Sequence, residues 1–149
     1  MKLTRIASIL ALASLPAMAE APNIAAIIET RQAGFHEMGE SMKVFRAVMR
    51  GGDVPAERQL EAAETVLKFA PEIGSWFPAG SGPESGLDTD ALPYIWKNTE
   101  KFAGLSDDLV SAAEGLVAAV KSADKGAIVN GVRTVGGICG DCHDSYRAD

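Results

Sequence analysis

The chain has 149 residues, 14 basic against 20 acidic side chains, a formal net charge of −6 and 47% hydrophobic content. That length suits one domain with enough chain to bury a core. The acidic balance excludes nucleic acid as a partner, because phosphate binding requires a basic face.

At the N-terminus, Lys2 and Arg5 precede an apolar stretch from Ile6 to about Leu15, and Ala17 to Ala19 form a small-residue exit. This is the pattern of a secretory signal peptide over residues 1–19, cut before Glu20. A membrane anchor would need roughly 20 apolar residues and no cleavage site. The expected product is exported, periplasmic and free of the membrane. Without residues 1–19, 130 residues remain, with 12 basic against 20 acidic side chains and a net charge of −8. Such acidity keeps a periplasmic protein soluble.

Strand-type alternation is absent, and apolar residues recur at helical spacing over four segments. The first, about 22–50, places Ile24, Ile28, Arg31, Phe35, Met38, Met42, Phe45 and Met49 at alternating steps of four and three, a heptad seam. The second, about 55–77, has Pro55 in its first turn and Leu60, Leu67, Ala70 and Phe77 on one stripe. Residues 78–90, "PAGSGPESGLDTD", form a Gly, Pro and Ser-rich connection.

The third segment, about 90–121, carries Ile95, Phe102, Leu105, Leu109, Ala112 and Leu116, with Thr89 or Asp90 as its N-cap. Pro93 is tolerable there only near a helix start. The fourth, about 123–146, is introduced by Ser122 or Asp124 and continues through Ile128, Val132, Val135, Cys139, Cys142 and Tyr146. Four amphipathic helices with short, long and short connections predict an all-α, antiparallel up-down-up-down four-helix bundle.

The last segment ends "GGICGDCHDSYRAD". Cys139 and Cys142 share the buried seam of its helix, and His143 lies four residues from Cys139 on the adjacent face. Two thiols at this separation match the two vinyl groups of haem, and the following imidazole can reach the iron, so CxxCH is read as covalent haem c attachment. A disulfide between cysteines three apart on one helix closes a tight loop. A thioredoxin-like redox pair calls for a strand-helix-strand unit, and structural zinc would need His36 as its fourth ligand. These alternatives leave a haem-free thiol protein as the competing class. Gly131, Gly136, Gly137 and Gly140 also lie on this helix, although each costs roughly 1 kcal/mol in a helix interior. Either a flat macrocycle or close helix packing explains them.

Arg31 stands where an apolar residue is expected. A buried guanidinium requires an anionic partner, and haem propionates are carboxylates that Arg can hold with two parallel bonds; the alternative is an Arg that snorkels to the bundle end. Phe35 follows one turn later, and phenylalanine cannot ligate iron. The nearest possible ligands are Met38 and Met42, deeper on the seam where methionines commonly serve as core filling, and His36, rotated about 100° from Phe35, off the apolar stripe.

Taken together, "RQAGFHEMGESMK", "WFPAGSG", "IWKNTEKF" and "VGGICGDCHDSYR", in that order, resemble the motifs of the cytochromes c′, class II c-type cytochromes. The resemblance covers essentially the whole chain after residue 19. It implies a four-helix bundle, a homodimer through the first two helices, and one covalent haem c per chain. Position by position, Cys139 and Cys142 match the thioether residues and His143 the proximal iron ligand. Arg31 and Gln32 match positions near the propionates, Thr89 and Asp90 the loop that closes over the haem, and Arg147 a basic residue beside the proximal pocket. Low-spin relatives carry methionine where Phe35 stands.

Phe35 therefore implies the five-coordinate, high-spin branch, whose open site admits small gases such as nitric oxide. Electron transfer to a periplasmic redox partner is compatible with the same centre. The alternative is a six-coordinate, low-spin electron carrier with Met or His as sixth ligand. No acid, base or nucleophile constellation points to an enzyme.

Overall fold

A computed structural model describes residues 22–148. The expected signal peptide, residues 1–19, lies outside them. Helix α1, Ile24–Met49, starts where the Asn23 side chain accepts a hydrogen bond from the Ala26 amide at 3.2 Å, a cap that satisfies one of the orphan donors of the first turn. Helix α2, Ala56–Phe69, follows Pro55, whose φ of −54° is already close to helical. Next come a one-turn helix α3, Tyr94–Lys97, then α4, Thr99–Lys121, and α5, Lys125–Tyr146. Asp124 caps α5 by accepting from the Ala127 amide at 3.0 Å, whereas Ser122 ends α4.

The architecture is the expected all-α bundle of four long helices. Helix α1 packs on α2, α2 on α4, and α4 on α5, while α1 and α5 meet at few points. That side of the bundle is consequently a cleft. The core is anchored by Phe45, Val66, Leu116 and Val135, all fully buried. Among the described residues no helix is long and apolar enough to cross a membrane.

Three boundaries differ from the sequence expectation. The second helix does not run to residue 77 as an α-helix; it tightens at Ala70–Trp76 into a 3₁₀-helix. Pro71 is the cause, since it has no N–H to donate and its ring opposes the preceding turn. The Ala70 carbonyl accepts from the Ser106 hydroxyl at 3.0 Å. The buried stripe of α2 is also rotated: Ala62, Ala63 and Val66 face the core, and Leu60 and Leu67 are half-buried. Small alanines permit close approach of the neighbouring helices and leave the leucines to the flank.

The third helix does not begin at residue 90. Residues around Ala91 are extended, because Ala91 and Arg147 form an isolated antiparallel bridge. The Leu92 amide donates to the Tyr146 carbonyl at 2.9 Å, and the Ala148 amide to the Asp90 carbonyl at 2.7 Å. Neither Thr89 nor Asp90 caps a helix as a result. Asn98, at φ −136° and ψ 44°, then separates α3 from α4.

Candidate functional site

Two adjoining cavities, of about 440 and 310 Å³, occupy the cleft between α1 and α5 and its extension toward α3. Phe35, Phe102, Cys142, His143 and Arg147 line both. The spacing of three and four residues along α5 places Cys142 and His143 beside Cys139, which lines the larger cavity only. The cysteines are not fully buried, as the seam pattern predicts, but half-buried in the cavity wall. The reason is that α5 faces open cleft at this level instead of a neighbouring helix.

Both thiols are unpaired. Burial raises the pKa of each; for Cys142 burial, and then the neighbouring Cys139, push it up to about 11. The two sulfurs are thus neutral thiols near pH 7. His143 is exposed at the cavity mouth. Protein packed against its ring, and then Arg147, lower its pKa, with Asp144 opposing. Its neutral form, the one with a free nitrogen lone pair, is favoured.

The glycines divide between the two explanations. Gly136 and Gly140 line the larger cavity, and a Cβ on either would meet no atom within 4 Å. Gly131, by contrast, packs against α4, where a Cβ would lie 3.3 Å from the Cα of Leu116. Gly137 has open space around it.

Across the cleft, Phe35, Met38 and Met42 of α1 face the larger cavity. Phe35 is fixed from behind: its ring stands edge-on to Trp76 at 5.2 Å between centroids and 84°, and 6.2 Å from Phe77. His36, exposed on α1, borders the smaller cavity.

Arg31 is 3% exposed and lines the smaller cavity. Its guanidinium donates to the Ser81 hydroxyl at 3.1 Å, to the Trp76 carbonyl at 3.4 Å and to the Thr89 hydroxyl, and it lies 4.8 Å from the Phe77 ring centroid. All of these are neutral groups. Burial lowers its pKa, and the charge of Glu84 offsets part of that effect. A buried cation held by neutral acceptors beside a cavity is a ready receptor for an anion. Gln32 donates to the Asp88 carbonyl at 3.2 Å. Thr89, Asp90, Gln32 and Arg147 all border the same cavity as Arg31, together with Phe35, Cys142 and His143, and Cys139 lines the adjoining one.

This donor set suits haem c. It offers two neutral thiols three residues apart, an adjacent imidazole, an apolar cavity and a buried cation at one edge. Among the described residues no three His, Cys, Asp or Glu side chains converge on a metal-sized point, which leaves zinc without a ligand set. Trp76 and Ser81 are contributors to which the sequence reading gives no role, although both stand in the stretch WFPAGSG. Gly34 is a further signal for Trp76, whose indole carbon would lie 2.3 Å from a Cβ at that position.

A protein-family model described as Cytochrome C′ matches residues 26–147. The chain is 32% identical over 126 residues to a cytochrome c′ of Rhodopseudomonas palustris, covering 82% of each chain. It is 31% identical to a cytochrome c-556 of Agrobacterium tumefaciens, over 80% of this chain and 95% of that one. The crystal structure of cytochrome c′ from Thermochromatium tepidum aligns with a TM-score of 0.78 at 31% identity, covering 86% of this chain and 98% of that chain.

Proposed function

The chain belongs to the cytochrome c′ family, whose cofactor is haem c, and from that premise we propose that it is a periplasmic gas-binding protein with one open iron face. Haem c supplies a redox-active iron that takes up small diatomic gases and exchanges single electrons. Phe35 carries the proposal, because it is the α1 residue that borders both cavities with Cys142 and His143, and its side chain has no atom able to ligate iron.

The residues divide the work by chemistry. Cys139 and Cys142 are the thioether positions and His143 the iron ligand. Arg31, with Gln32 and Thr89 around it, receives the carboxylate edge of the cofactor by charge-assisted hydrogen bonds. Asp90 and Arg147 close that edge through the backbone pairing of residues 90–92 with 146–148. Phe35, Phe102 and the methionines exclude water and anions and leave room for an uncharged gas such as nitric oxide. A homodimer through α1 and α2 is part of the same proposal.

A second reading, a six-coordinate electron carrier, is favoured by Met38 on the wall of the larger cavity and His36 on that of the smaller. Absorption spectra of the ferric and ferrous holoprotein, with and without nitric oxide, distinguish the two. A high-spin ferrous spectrum that changes on adding the gas is expected. A low-spin ferrous spectrum unchanged by nitric oxide overturns the open-site proposal in favour of the second.

A further inference from the structure

Phe35 is half-buried and borders both cavities, and the aromatic rings that pack on it, Trp76 and Phe77, lie outside α1. Helical backbone leaves an aromatic side chain two staggered χ1 choices, so the packing behind the ring decides which one it occupies. Behind it stands Trp76, 4% exposed, on the 3₁₀-helix that Pro71 induces. The indole meets Phe35 edge-on and rests in turn on Phe69, 6.0 Å away.

This arrangement depends on Gly34. A Cβ there would fall 2.3 and 2.8 Å from two atoms of the indole ring, closer than real Cβ atoms come, and 3.0 Å from a third. The absence of a side chain at Gly34 lets Trp76 lie against the α1 backbone and reach the back of the next residue. Trp76 borders neither cavity, so it acts through Phe35 and not on a ligand. Its main-chain carbonyl also accepts from Arg31 at 3.4 Å, which ties the same wall to the cofactor's charged edge.

We infer that Trp76, seated on Gly34, is a positioning residue that holds the Phe35 ring over the cavity and thereby sets how fast a gas reaches the iron. The inference rests on the proposed open-face function. An edge-to-face pair contributes enough to shift a rotamer balance by a few-fold to about tenfold, and loss of the pair lets the ring retreat.

The test uses carbon monoxide association with the ferrous holoprotein, together with ring-flip rates of a fluorinated Phe35 measured by fluorine NMR in the carbon monoxide complex. Trp76→Leu is expected to accelerate association by several-fold, up to about tenfold, and to speed ring flipping. Trp76→Phe, which keeps an aromatic edge, should fall between it and the parent. It serves as the second variant if the leucine protein does not fold. On a Phe35→Ala background the substitution at Trp76 should have no further effect. Acceleration that persists undiminished on that background, or unchanged association and ring flipping in both Trp76 variants while Phe35→Ala alone is fast, overturns the inference. Unchanged association in Phe35→Ala itself refutes instead the placing of Phe35 before the iron.

Discussion

Ala91 and Arg147 pair across an isolated antiparallel bridge, tying the loop that carries Thr89 and Asp90 to the end of the helix that carries Cys142 and His143. The two flanking bonds, Leu92 to Tyr146 and Ala148 to Asp90, fix both walls of the smaller cavity relative to one another. Leu92→Pro removes one donor and leaves the Tyr146 carbonyl unpaired. The expected loss is about 1–3 kcal/mol, read as a lower Tm, with faster amide exchange at Ala148.

Phe35→Met places a thioether where the cavity has only an apolar ring. The iron is expected to move toward six-coordination, seen as a change of the ferrous absorption spectrum from high-spin to low-spin. A spectrum that stays high-spin contradicts the placing of residue 35 opposite His143.

Arg31 is a buried positive charge with neutral partners. Positive charge favours the reduced iron, so Arg31→Met is expected to lower the reduction potential of the holoprotein. The drop should be on the order of 50 mV, equivalent to about 1 kcal/mol of lost charge stabilisation. Redox titration of the two proteins checks it, and an unchanged potential places the guanidinium away from the cofactor.

Gly131 and Gly137 lie on the same helix in opposite surroundings. Gly137→Ala meets open space and removes a helix-interior glycine, which is expected to stabilise by about 0.5–1 kcal/mol. Gly131→Ala presses on Leu116 and its backbone, so the gain is cancelled or reversed as α4 and α5 move apart. Thermal unfolding of the two variants distinguishes them by the sign of the difference.

The sequence by itself determined the helical class, the number of long helices, the thiol and imidazole positions, and the anomaly of Arg31. These follow from periodicity and residue chemistry, which are properties of single segments. The seam of α1 was legible because each step of four or three returns to one face. The α2 stripe was not, since small alanines and larger leucines both count as apolar and only neighbouring helices decide which side turns inward.

The start of the third helix was likewise decided at long range. Pairing with residues 146–148 drew Ala91 into an extended bridge that no local signal announces. The half-exposed cysteines record the weak contact between α1 and α5, which leaves a cleft where a seam pattern implies a buried core. Tertiary structure alone also showed that Gly34 admits Trp76 behind Phe35, because such an approach depends on the space between two elements and not on the propensity of either.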